Sequence, residues 1–128
     1  MIKGNYKYSD ITEKIIGSAM KVHSFLGNGF PEVIYQRSLA IELNKSGISF
    51  KRELEKDVYY DNIKVATRIV DFLIEDTVLV ELKALGEISD NHYSQILNYL
   101  KAYKLEIGLL INFGAKSLQF KRFINSNL

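Results

Sequence analysis

Cysteine is absent from the 128-residue chain, which excludes disulfide scaffolds, thiolate zinc sites and cysteine nucleophiles. Only two histidines are present, so a single chain cannot build a metal site from three histidines. Any metal site must therefore rest on carboxylates, which favour a hard cation such as Mg²⁺. No apolar run approaches the ~18 residues of a membrane span, and the first ten residues lack the apolar stretch of a signal peptide. We therefore expect no membrane partner and a cytoplasmic location.

Net charge is also slight, since 17 basic and 15 acidic residues give a formal +2. Bulk charge therefore does not indicate nucleic acid as a partner, and any basic surface must be local. Hydrophobic residues make up 47% and charged residues 25% of the chain, which is the composition of a globular protein rather than a disordered one. We expect an N-terminal extension over residues 1–8 and a single domain over 9–128.

Two helices open the predicted order of elements. Apolar residues spaced by three and four predict a helix over 9–26, and the glycines within 27–29 end it. A second helix is predicted over 31–46, because the only proline suits a first turn and a glycine follows the last residue. Glu32 places a carboxylate at the start of its otherwise apolar inward face.

The rest of the chain alternates strand-like and helix-like segments. Segments rich in β-formers are predicted at 48–54, 57–60, 63–74, 78–84, 107–112 and 118–124, with a third helix at 89–104. Two turns, near residues 61–62 and at 75–77, indicate antiparallel hairpins. With 48–54 and 57–60 counted together as the first β element, the order α-α-β-β-β-α-β-β predicts an α/β fold of the α+β kind, with a central mixed sheet flanked by helices.

The hairpin over 68–84 contains the most informative pattern. If its turn is the three residues 75–77, Ile74 pairs with Val78 and Asp71 lies opposite Glu81. Because side chains alternate along a strand, each face then has its own set of residues. One face is wholly apolar and carries Val70, Phe72, Ile74, Val78, Val80 and Leu82. The other mixes aliphatic and ionisable groups and carries Ile69, Asp71, Leu73, Leu79, Glu81 and Lys83.

Two carboxylates on a shared, largely apolar face need a cation between them. At ~5 Å they repel by about 3 kcal/mol at an effective dielectric near 20. Like charges opposite each other across strands are otherwise unfavourable. Lys83 could be that cation, which would make a salt-bridged face, and a divalent ion could be that cation, which would make a metal site. The pattern alone leaves both interpretations open, and a two-residue turn would offset the two acids by one position.

Asp71, nine residues, and then Glu81-Leu82-Lys83 resemble the D-x(n)-(D/E)-x-K signature of the PD-(D/E)xK nuclease superfamily. Residues 29–35 read G-x-x-E-x-x-Y, the signature of a bacterial branch named the GxxExxY family. The resemblance continues through 22–23, 26–29, 95–100 and 110–113, and it covers nearly all of 9–124. Val70 stands where the name of the superfamily has proline, a change that keeps the acid.

The resemblance implies a restriction-endonuclease-like core and hydrolysis of DNA or RNA. It implies that Asp71 and Glu81, completed or oriented by Glu32, hold Mg²⁺ or Mn²⁺. Lys83 would position water or neutralise charge in the transition state. Gln95 and Tyr99 match a Q-x-x-x-Y pair that lines the active centre in the RecB-like branch.

Several alternatives stay open beside these roles. Glu32 also suits a helix N-terminus, and Gln95 and Tyr99 also suit ordinary helix packing. The alternative function is a non-catalytic module on the same fold that binds nucleic acid or a protein. A chain this small has little room for a sequence-reading domain, so specificity would come from a partner, a homodimer or the shape of the nucleic acid. Phosphate contacts could come from basic residues at 51–52, 101, 104, 116 and 121–122.

Overall fold

A mixed five-stranded sheet and three helices make up the computed structural model, which describes residues 8–126. The expected extension over 1–8 lies outside the described residues except for Tyr8. The helices are α1 (Ser9–Leu26), α2 (Glu32–Lys45) and α3 (Asp90–Tyr103). The strands are β1 (Phe50–Tyr60), β2 (Ile63–Ile74), β3 (Val78–Lys83), β4 (Ile107–Asn112) and β5 (Gln119–Ile124). The predicted order of elements and the α+β fold class are confirmed.

The strands lie in the sheet in the order of the chain, β1-β2-β3-β4-β5. Neighbouring strands are antiparallel except β3 and β4, which are parallel. A parallel pair needs a crossover connection, and α3 provides it between these two strands. The carboxyl ends of β3 and β4 therefore meet at one edge of the sheet.

The first strand differs from its prediction. The sequence suggests two segments, 48–54 and 57–60, but the structure has one strand of 11 residues that begins at Phe50. Pairing with β2 continues through the polar residues between the two segments, and it shifts register only between Val58 and Tyr59. Cross-strand hydrogen bonds thus override a local gap in the apolar pattern.

Each face of the sheet is covered by helices. On one face, α1 and α2 pack against β-strand residues in a cluster that includes Ile15, Leu39, Phe72 and Val80. On the other face, α3 packs against a cluster that includes Leu79, Ile96, Leu100, Leu110 and Phe123. None of the helices in the described range is long and apolar enough to cross a membrane.

The register of the second hairpin is as predicted, since Ile74 pairs with Val78 across the turn of residues 75–77. The assignment of Val70 to the face of Phe72 is wrong, because Val70 is buried in the cluster under α3. The cause is an irregularity at Asp71. The ladder with β1 omits the rung between Glu53 and Asp71, and Glu53 has a φ of 51°. The strand therefore changes face between Val70 and Phe72.

Phe72→Ala should destabilise the protein by about 3–5 kcal/mol, because the ring is fully buried and packs edge-on against Phe50 at 5.5 Å. The free energy of unfolding from urea titration measures the loss. Ile63→Ala is the matched control, since this side chain on the same strand is 65% exposed. It should change stability by about 0.5 kcal/mol or less. Equal losses in the two variants would contradict the placement of Phe72 in the core.

Candidate active site

A pair of acids, of which Glu81 is buried and Asp71 is partly buried, lies where β2 and β3 diverge. Glu81 on β3 is 8% exposed, and its pKa is raised to about 9. Burial is the largest cause, followed by a hydrogen bond to Asp71 and by the charge of that neighbour. Glu81 therefore carries a proton at neutral pH and shares it with the Asp71 carboxylate. Within residues 8–126, its Oε1 is buried and has no hydrogen-bond partner.

Two further donors hold Asp71 in place. The backbone N–H of Leu82 donates to Oδ2 at 2.8 Å, and the side-chain amide of Gln36 donates to Oδ1 at 2.9 Å. In the first of these bonds, a backbone N–H of β3 donates to a side chain rather than to a backbone carbonyl of β2. The paired ladder accordingly ends at Phe72 and Val80, one rung before the two acids.

Gln36 is a residue of this site that the sequence reasoning missed. It lies on α2 four residues after Glu32, so the two side chains share a helix face. The residue is 7% exposed, and its Oε1 is buried without a hydrogen-bond partner in the described part of the chain. The spacing of four residues from Glu32 could have indicated that Gln36 faces the site. Its hydrogen-bond partner, Asp71, is 35 residues away in the sequence.

Glu32 and Lys83 complete the charged part of the site. Glu32 is the first residue of α2, and partial burial together with the charge of Asp71 raises its pKa. Lys83, the last residue of β3, opposes this shift and that of Glu81. Three acids and one lysine thus influence each other electrostatically, and the lysine offsets only part of the acidic charge.

Helix α3 contributes Gln95 and Tyr99 from the side opposite α2. The amide of Gln95 donates to the Tyr99 hydroxyl at 3.3 Å. The pKa of Tyr99 is raised, first by burial and next by the charge of Glu81. Tyr99 therefore borders the acid pair, and Gln95 is linked to the acid pair by its hydrogen bond to Tyr99. The structure brings all six candidate residues into one region.

The two acids fit a hard divalent cation, although they do not form a closed cage. Among residues 8–126, no three carboxylate or histidine side chains are close enough together to enclose a metal ion. Glu32, Asp71 and Glu81 therefore are not assembled as a three-ligand site. Mg²⁺ commonly uses only one or two carboxylates and fills its other positions with water and phosphate. A cation would take the place of the proton shared by Asp71 and Glu81, and it would give the unpartnered Oε1 of Glu81 a ligand bond.

The G-x-x-E-x-x-Y segment has a structural explanation. Gly27 and Gly29 have φ values of 71° and 115°, which favour glycine. The Tyr35 hydroxyl donates to the carbonyl of Gly27 at 2.6 Å and accepts from the N–H of Phe30 at 3.2 Å. Its ring stacks on Phe113 at 4.6 Å. The glycine and the tyrosine thus fix the loop that leads to Glu32.

A mixed sheet that presents two acids and a lysine from adjacent strands, with helices on both faces, defines the restriction-endonuclease-like fold. The model of the family described as the PD-(D/E)XK nuclease superfamily matches residues 9–123, and the chain belongs to this superfamily. Members of it typically use divalent metals. No curated protein matches the sequence.

One solved structure, described as "Crystal structure of SSO0001", has the same fold. It aligns with a TM-score of 0.58 and 16% sequence identity. The alignment covers 93% of this chain and 60% of that one, so this chain spans less than two thirds of the length of that protein. At this identity the likeness concerns the fold alone.

The raised pKa of Glu81 predicts that the metal-free protein loses stability as pH rises. Between the ordinary glutamate value of 4.5 and about 9, the folded state holds a proton that the unfolded state releases. The free energy of unfolding should therefore fall through this range, by up to about 1.4 kcal/mol per pH unit. Urea titrations in chelator at a series of pH values measure the slope.

Glu81→Gln should flatten this pH dependence, because the amide cannot release a proton. Glu55→Gln, a change at an exposed acid on β1, is the matched control and should keep the slope of the wild type. An unchanged slope in Glu81→Gln would contradict the assignment of the proton to this residue.

Proposed function

We propose that the protein is a divalent-metal-dependent nuclease that hydrolyses phosphodiester bonds in DNA or RNA. The acid pair of Asp71 and Glu81 carries the proposal. Burying Glu81 beside the partly buried Asp71 costs stability, and apolar residues would fill the same space without that cost. Perturbed groups of this kind are concentrated at functional sites. Membership of a nuclease superfamily supports phosphodiester hydrolysis as the chemistry.

The GxxExxY branch is our proposal for the position of the chain within the superfamily. Gly29 and Tyr35 fix the loop, and Glu32 then extends toward Asp71. Each signature residue thus has a physical task that bears on the acid pair. We also propose that residues 9–128 form one domain, since both faces of a single sheet provide the core.

The residues proposed to hold Mg²⁺ or Mn²⁺ are Asp71 and Glu81, with Glu32 beside them. When bound, the ion supplies positive charge toward the phosphate and makes an attacking water more acidic. Glu81 must first give up its proton, so binding depends on pH. Asp71 keeps its orientation throughout, because donors from Leu82 and Gln36 occupy one position on each of its oxygens.

Lys83 is proposed to act on the phosphate. Its ammonium group lies beside the acids at the end of β3, where negative charge would develop on phosphate oxygens during cleavage. Tyr99 borders the same space from α3, and Gln95 orients its hydroxyl. These two residues are proposed to contact the substrate and the water that attacks it.

Labelled single- and double-stranded DNA and RNA, incubated with Mg²⁺, Mn²⁺ or chelator, test the activity. We expect cleavage that requires metal and that falls about 10²–10³-fold in Lys83→Ala. Lys64→Ala is the matched control, because this exposed lysine pairs with Asp57 at 3.5 Å on the surface. Metal-dependent cleavage should survive in the control. Absence of cleavage on all four substrates would favour the non-catalytic binding module.

Thermal melts test the metal site without reference to activity. Metal at ~100 times its dissociation constant should stabilise the wild type by about 2.7 kcal/mol, which raises the melting temperature by on the order of 10 °C. Glu81→Gln should lose this response, yet in chelator at pH 8 it should melt no lower than the wild type. A wild type that ignores both metals, or a Glu81→Gln variant that keeps the full response, would overturn the two-carboxylate site.

A further inference from the structure

Two cations face each other on the hairpin of β1 and β2. Lys56 and Arg68 are direct partners in the antiparallel ladder. Like charges directly opposite each other destabilise a sheet unless an opposite charge accompanies them. The acids on either side of Lys56 along β1 are Glu55 and Asp57, and the alternation of side chains places both on the other face. Asp57 pairs there with Lys64 at 3.5 Å and with Thr67 at 3.0 Å. In the described part of the chain, neither Lys56 nor Arg68 forms an ion pair.

The cation pair lies on the same side of the sheet as the candidate active site. The Lys56 ammonium is 5.8 Å from the centroid of the Tyr103 ring on α3. The charge of Arg68 acts on the hydroxyls of Tyr99 and Tyr103. Tyr99 in turn borders Glu81. The tyrosines therefore connect the two cations with the acid pair.

The separation along β2 suits a continuous nucleic-acid strand. Arg68 precedes Asp71 by three residues, which is about 10 Å along a strand. Phosphates on one strand of B-form DNA advance about 3.4 Å along the axis per nucleotide. A backbone with its scissile phosphate at the acids would thus reach the cations within about three nucleotides.

We propose that Lys56 and Arg68 form a phosphate-binding site for the backbone of a nucleic-acid strand that enters the active site. The inference rests on the proposed function for the position of the scissile bond. The partner is a polyanion, because neither cation forms an ion pair within residues 8–126 and the contact of Arg68 is with the neutral Thr67 carbonyl at 3.2 Å. The neighbouring acids repel phosphate, so positive charge close by must attract it. Such contacts position a strand and carry no sequence information. A chain with a formal charge of only +2 needs a local site of this kind.

Binding in chelator separates this site from catalysis. A fluorescent 20-nucleotide DNA is titrated with wild type, Lys56→Gln, Arg68→Gln and the double variant at several salt concentrations. We expect the double variant to bind about tenfold or more weakly at low salt. Its slope of log affinity against log salt should be smaller by about 1.4–1.8, since each lost phosphate contact removes about 0.7–0.9.

Controls make the result specific. Lys64→Gln removes a cation that already pairs with an acid, and it should leave the salt slope unchanged. The double variant should also melt no lower than the wild type, because it removes a like-charge pair. Inorganic phosphate should compete with the DNA only weakly. Strong competition would identify a site for a free anion and overturn the proposal of a strand.

The outcomes distinguish this inference from the proposed function. An unchanged salt slope in the double variant, or no DNA binding by the wild type, overturns the phosphate site whether or not cleavage occurs. Binding that depends on Lys56 and Arg68, together with no cleavage under any metal, supports the phosphate site and overturns the nuclease.

Discussion

The hydrogen bond from the Leu82 N–H to the Asp71 carboxylate is the interaction on which the site depends. A central strand normally gives its amides to backbone carbonyls, and here one amide goes to a side chain. The β2–β3 ladder stops at that point, and β2 changes face between Val70 and Phe72. Asp71 and Glu81 therefore lie next to each other just beyond the last paired residues of β2 and β3, all of which are apolar. The helices on the two faces can then each send side chains toward the same opening.

The proton on Glu81 explains how the fold tolerates this opening. A neutral carboxyl group is far cheaper to bury than a carboxylate, and its hydrogen bond compensates the Asp71 charge next to it. Lys83 alone does not neutralise three neighbouring acids. Because Glu81 keeps its proton, the metal-free site nevertheless carries less negative charge than three acids and one lysine suggest.

The sequence predicts the hairpin well because alternation and turn length are local properties. The turn at 75–77 and the pairing of Ile74 with Val78 follow from them, as do the two covered faces. Val70 was misassigned because the irregularity at Asp71 arises from long-range hydrogen bonds. Gln36 was missed for the same reason, since its partner lies 35 residues away. The pairing of Lys56 with Arg68 likewise requires the exact register of β1, which the polar gap in its pattern obscured.

The same register limits how the exposed turn of residues 75–77 can vary over evolution. Its side chains lie outside both core clusters, and their contacts are local, such as the 2.8 Å hydrogen bond that Glu75 accepts from the Ser49 N–H. Its length is fixed more strictly, since one inserted or deleted residue would move Glu81 to the opposite face relative to Asp71. A surface loop that would ordinarily accept insertions is thus constrained in length by a pair of acids several residues away on each strand.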